Sequence, residues 1–179
     1  MKMQQKGFSL IELLIVVAII LIIAAIAIPN LLRSKIAANE SSAVGSVRTI
    51  GTAEVTYQSS WGTGYAAGIT QLGGAPPCTS ATAVNACLID PLLSTGAFTK
   101  SGYTFGALGD FPDASVPPIL NGFEVVANPV TPQVTGVRSF CDDQTGVIKF
   151  NMVAMANPPA GGQCAIVATV AGQSGPVGN

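Results

Sequence analysis

The 179-residue chain is 49 % hydrophobic and only 9 % charged, with a net charge of -1, whereas soluble domains carry roughly 25 % charged residues. Its length admits one ordinary domain plus a membrane segment, and the lack of any basic cluster argues against electrostatic binding of nucleic acid. There is no histidine, which excludes His-ligated zinc, His-based general base catalysis and Ser-His-Asp triads.

The first element expected is a membrane helix. From Phe8 to Ile28 the text FSLIELLIVVAIILIIAAIAI has Ser9 and Glu12 as its only polar residues. A helix of that length spans about 31 Å, the thickness of a bilayer's hydrocarbon core. Glu12 is the anomaly in it, because an unpaired charge inside a membrane costs about 2.5–3.5 kcal/mol on insertion scales. A removable secretory signal is cut beyond its apolar region, after small residues, but here the small residues Ala24 to Ala27 lie inside the run. Gly7 stands at the charged-to-apolar junction on the near side. A cut between Gly7 and Phe8 would remove MKMQQKG and leave the whole helix in place. Charge bias supports this orientation only weakly, since Lys2 and Lys6 are offset by Arg33 and Lys35 beyond the span.

Pro29 has no N–H and crowds the carbonyl of Ala25, so a helix break or kink is expected there. Residues 30–60 then read as a second, amphipathic half of the same helix. Ile36, Ala43, Ile50 and Tyr57 recur every seven residues, with Leu32 and Val47 in the intervening turns, which is one apolar stripe at helical period. Arg33, Lys35, Glu40 and Arg48 lie mostly off it. Gly45 and Gly51 each weaken a helix by about 1 kcal/mol, and the pattern leaves open whether they are neutral surface positions or permit close packing.

Residues 61–179 form a head. Its first forty residues are loop-rich, with WGTGYAAG and LGGAPPC. Short β-compatible runs follow at Tyr103–Ala107, Gly122–Ala127, Val137–Cys141 and Val147–Met152, and DDQTG (Asp142 to Gly146) supplies a turn with Gly146 suited to positive φ. The expected fold is therefore α+β. A long N-terminal helix, spanning the membrane over residues 8–29 and amphipathic over 30–60, packs on an antiparallel sheet of about four strands.

Cys78, Cys87, Cys141 and Cys164 are an even set without CxxC spacing, which in an exported domain reads as two disulfides. Of three pairings, Cys78–Cys87 with Cys141–Cys164 closes the shortest loops. The second bridge would pin the tail after the last strand, contributing about 3 kcal/mol. No enzymatic motif is present: GTGYAAG (Gly62 to Gly68) has the wrong spacing for a dinucleotide loop, no Gly-Lys-Ser/Thr occurs, and GQSGP around Ser174 fails the nucleophile-elbow pattern. The chain is not expected to be an enzyme.

KGFSLIELLIVVAIILIIAAIAIPN, residues 6–30, resembles the N-terminus of type IV pilins and of type II secretion pseudopilins. Gly7 precedes the cut, Phe8 is the new N-terminus, Glu12 the fifth mature residue, and Pro29 ends the apolar run. GVRSFCDDQTGVIKF, residues 136–150, is similar to the C-terminal hairpin of many pilins. The resemblance implies a leader of residues 1–7, removed after Gly7 by a prepilin peptidase that also N-methylates Phe8. It implies that Glu12 pairs with the N-terminal ammonium of a neighbouring subunit, and the physics agrees, since a carboxylate in lipid is penalised until a cation reaches it.

The same resemblance implies the pilin fold and a homopolymer built through the N-terminal helix, with the inner-membrane assembly platform and minor pilins as further partners. Before assembly the chain would be a single-pass inner-membrane protein with its head in the periplasm, and afterwards part of an extracellular pilus or periplasmic pseudopilus. No cofactor is expected. Pseudopilins bind calcium near their C-termini, which makes Asp142 and Asp143 a candidate pair, although adjacent acids at a turn are more often simply solvated. The expected function is that of a type IV pilus subunit. The alternatives are a pseudopilin, or a non-filamentous single-span periplasmic binding protein that keeps Met1 or Met3 at its N-terminus.

Overall fold

The structure is a computed structural model that describes residues 8–167 and 173–177. The leader expected at residues 1–7, with Gly7 and its side of the cleavage junction, lies outside the described residues. The chain divides into two compact units, residues 1–35 and 36–179, and a single helix, α1 (Leu10–Trp61), contributes to both.

In the first unit every described residue is exposed except Ala24, which is half-buried. Leucine and isoleucine point outward on all sides of the helix, from Leu10 at 74 % exposure to Ile28 at 57 %. An all-round apolar surface belongs in lipid or among other apolar helices, and α1 is long and apolar enough to cross a membrane. The break expected at Pro29 is not found, because the helix runs through the proline. Pro29 forfeits one backbone hydrogen bond, and the turns on either side continue regardless.

Among its described residues the second unit contains the remainder of α1, two one-turn helices, α2 (Ile69–Leu72) and α3 (Pro91–Ser94), and six strands. These are β1 (Thr99–Lys100), β2 (Tyr103–Pro112), β3 (Leu120–Pro129), β4 (Ser139–Asp143), β5 (Lys149–Asn151) and β6 (Ser174–Pro176). They form one sheet in chain order, every neighbouring pair antiparallel. The α+β class is as expected, but the sheet has six strands where about four were expected. The two additional edge strands are two and three residues long and have no apolar alternation to announce them. They exist because Lys100 pairs with Tyr103 and Gly175 pairs with Phe150. β4 starts at Ser139 rather than Val137, since the N–H groups of Val137 and Arg138 donate to a side chain on α1.

The core lies between α1 and one face of the sheet. Ala43, Val47, Ile50 and Tyr57 pack there with Phe105, Phe123, Val125, Ala127 and Phe140. Burial of each larger member is worth about 1.5–3 kcal/mol. Val126 and Cys141 are paired in register and point to the opposite face, where Met155 and Cys164 complete a smaller cluster. Period-two alternation along β3 and β4 thus serves both faces. Of the stripe expected on the amphipathic half, Ile36 is half-buried and Leu32 exposed. Its buried part begins at residue 40.

Candidate functional site

Ser9-Leu10-Ile11-Glu12 opens α1, and Glu12 turns back one helical turn so that its Oε2 accepts the backbone N–H of Ser9 at 2.9 Å. This is half of a capping box, in which a Glu three residues after Ser satisfies a donor that the first turn leaves orphaned. The S-x-x-E spacing is a helix-start signal that the reading of Glu12 as a charge in lipid passed over. Oε1 of Glu12 accepts no hydrogen bond among the described residues. Phe8, immediately before, is 80 % exposed. An exposed aromatic residue therefore precedes the helix, and its first turn carries a carboxylate that retains one oxygen for a cation.

A second group of carboxylates sits where α1 meets the sheet. Glu40 was expected off the apolar stripe but is only 6 % exposed. Its Oε1 accepts the backbone N–H groups of Val137 and Arg138 at 2.9 and 3.1 Å, and its Oε2 accepts Nε and Nη2 of Arg138 at 2.9 and 2.7 Å. Burial opposes ionisation of Glu40, but the bonds from Val137 and Arg138 outweigh it and hold its pKa below the usual carboxylate value. Arg138 in turn lies over the rings of Phe140 and Phe150, 5.6 and 5.5 Å from their centroids.

Glu54 is fully buried. Its Oε2 accepts the Ala66 N–H at 2.9 Å while Oε1 has no partner. Burial pushes its pKa up to about 8, against the lowering effect of the Ala66 bond, so the group is mostly protonated at neutral pH. Residues 40, 43, 47, 50, 54 and 57 fall at alternating spacings of three and four. That is the true buried stripe, and two glutamates occupy its register. Sequence reasoning passed over Glu54 because it followed apolar residues only.

Asp142 and Asp143 are both 4 % exposed. Burial pushes Asp142 up to about 6; the bond from the Asp143 N–H counteracts this, the Asp143 charge adds to it, and Arg48 lowers it. Asp143 accepts from the backbone and hydroxyl of Thr145, and Lys149 Nζ stands 3.8 Å from its Oδ2. Gly146 closes the turn at φ +70°, its N–H bonded to the Asp143 carbonyl, as the DDQTG text suggested. This pair does not fit calcium, which takes six to eight oxygen ligands. Asp143 is already engaged by Thr145 and Lys149, Asp142 keeps a single oxygen without a donor and has Arg48 nearby, and no cluster of three or more acidic, Cys or His side chains occurs among the described residues.

The cysteines form Cys78–Cys87 and Cys141–Cys164. Cys164 is held twice more, by its N–H to the buried Glu124 Oε1 at 2.8 Å and by its carbonyl to Lys149 Nζ at 3.0 Å. The described tail after β5 is thereby fixed to three successive strands.

Residues 2–28 match the family model of the prokaryotic N-terminal methylation motif. The chain is similar to the type IV major pilin protein PilA of Myxococcus xanthus, 44 % identical over 54 residues, which is 30 % of this chain and 24 % of that protein. It is also similar to the type IV wide pilus major component PilA4 of Thermus thermophilus, 64 % identical over 36 residues, 20 % of this chain and 28 % of the relative. The matched stretch spans about a quarter of the length of these relatives. No solved structure matches the chain. The resemblance read from residues 6–30 is borne out by these matches.

Proposed function

We propose that this chain, whose N-terminus matches the prokaryotic N-terminal methylation motif and is similar to that of two type IV pilus major pilins, is a structural subunit of a type IV pilus. One observation carries the reading: Glu12 lies near the start of an otherwise almost wholly apolar stretch, Phe8 to Ile28, that follows a Gly7–Phe8 step, within residues matched by the methylation motif. Prepilin peptidase cuts after Gly7 and methylates the new amine of Phe8. The helix holds the subunit in the inner membrane with its disulfide-bearing head in the oxidising periplasm. Assembly by the inner-membrane platform, primed by minor pilins, moves the helix from lipid into the filament core. Each leucine or isoleucine side chain left in water forfeits about 1.5–3 kcal/mol, so the helices leave the bilayer only by covering one another. The free oxygen of Glu12 takes the N-terminal ammonium of a neighbour, which sets the register of the bundle.

The test is the intact mass and N-terminal sequence of the protein recovered from its own cells. An N-methylated Phe8 with residues 1–7 missing is expected. An N-terminus that keeps Met1 or Met3 overturns the proposal. Surface filaments seen by microscopy and lost on deletion separate a pilus from a periplasmic pseudopilus.

A further inference from the structure

The charges of this chain are unevenly shared. Residues 36–179 hold eight carboxylates against four cations, whereas residues 8–35, which remain after a cut at Gly7, hold Arg33 and Lys35 against Glu12 alone. Three of the four cations in the second unit are committed: Arg138 to Glu40 at 2.7 Å, Lys100 to Asp90 at 3.7 Å and Lys149 to Asp143 at 3.8 Å. Arg48 acts on Asp142 through space but makes no ion pair with it. Arg33 and Lys35 are exposed and have no ion pair among the described residues.

Asp142 is the complementary group. It is 4 % exposed, its Oδ1 accepts the Asp143 N–H at 3.1 Å, and its Oδ2 accepts nothing among the described residues. That oxygen lies against Gly51, where a Cβ would stand only 2.6 Å away. Asp142 lines a cleft of about 270 Å³ whose walls also include Arg48, Thr52, Val55, Phe123 and Gly146.

We infer that this cleft receives Lys35 of a second copy of the chain, whose ammonium pairs with Oδ2 of Asp142. The contact rests on the filament reading above. An arginine fork wants two acceptor oxygens, whereas the ammonium of a lysine is served by one, which selects Lys35 over Arg33. The lysine stem finds apolar wall in Val55 and Phe123. The carboxylate has already lost most of its water to the fold, so pairing adds attraction with little further desolvation of that partner. Lys35 and the cleft are different parts of the chain. Such a heterologous contact repeats from copy to copy and builds an open filament, where a self-complementary patch would close a dimer.

The test uses filaments grown from a mixture of ¹⁴N- and ¹⁵N-labelled protein and treated with a water-soluble carbodiimide, which joins a lysine amine to a carboxylate in direct contact. A Lys35–Asp142 peptide pair of mixed isotope composition is expected, while Lys100–Asp90 and Lys149–Asp143 should give unmixed pairs as internal controls. Lys35→Gln, at an exposed position that cannot unfold the head, and Asp142→Asn, close to isosteric, should each lower filament yield about tenfold with the melting temperature of the head kept. Filaments without the mixed link, or full yield from both variants, overturn the contact and leave the pilus reading standing. A wild-type chain that forms no filament sinks that reading and this contact with it.

Discussion

Glu40 on α1 and Arg138 at the entry to β4 are 98 residues apart in the chain and joined by two side-chain hydrogen bonds, at 2.9 and 2.7 Å. The same carboxylate also takes the two backbone N–H groups that would otherwise begin β4 earlier. One side chain therefore fixes the position of the helix on the sheet and decides where a strand starts.

Removing Glu40 strands two backbone donors and a half-buried guanidinium. Glu40→Ala should destabilise the head by about 2–3 kcal/mol, read from denaturant midpoints of the full-length protein in detergent. The depressed pKa sets the sign with pH. The contribution is present above the unfolded value of 4.5 and is lost as pH falls below it through the folded pKa. An unchanged midpoint on substitution would show that the clamp contributes nothing.

The two helix glycines should respond oppositely to alanine. Gly45 has nothing within 4 Å of an added Cβ, so Gly45→Ala should stabilise the helix by about 1 kcal/mol. Gly51→Ala would place its methyl 2.6 Å from Asp142 Oδ2. It should destabilise the head despite the better helix propensity. Equal effects of both changes on the melting temperature would mean that the close approach at Gly51 does not constrain the packing.

Glu54 makes the head sensitive to alkali. Its folded pKa, about 8, lies above the unfolded value of 4.5. The protonated form is therefore retained longer on folding, and stability is highest below pH 4.5 and declines as pH rises through about 8. Glu54→Gln cannot ionise and should flatten that decline between pH 5 and 9 in thermal melts. If the wild type shows no such slope beyond that of the variant, Glu54 is not buried as described.

Reduction of Cys141–Cys164, which closes a sequence separation of 23 residues, should cost about 3 kcal/mol. The tail segment following Asn151 should then be cut first in limited proteolysis under reducing conditions, ahead of β2 and β3. A cleavage pattern indifferent to reductant would assign the anchoring to the Glu124 and Lys149 bonds instead.

Glu12 caps the first turn of α1, and a pair of substitutions separates that role from its proposed pairing with a neighbour. Gln at this position still reaches back to the Ser9 N–H, whereas Ala does not. Both variants should remain in the membrane, and under the proposed pairing with a neighbour's ammonium both should fail to form filaments. Normal filaments from Glu12→Gln would reduce Glu12 to a helix cap.

Local and covalent features were legible from the residues alone. The apolar run from Phe8 to Ile28, the heptad spacing of Ala43, Ile50 and Tyr57, the DDQTG turn and the short-loop disulfide pairing all depend on residues near one another in the chain. The tertiary structure decided the rest. β1 and β6 have no pattern of their own and are strands only because Tyr103 and Phe150 lie beside them. Pro29 stays helical because one missing hydrogen bond does not outweigh those on either side. Above all, the state of each carboxylate was settled at a distance. Glu40 is ionised because residues 137 and 138 bring it donors, Glu54 is protonated because only one donor arrives, and the free oxygen of Asp142 shelters against a glycine some ninety residues earlier. Burial and partnership of a charge are set by what the fold places around it, and no period along the chain encodes that.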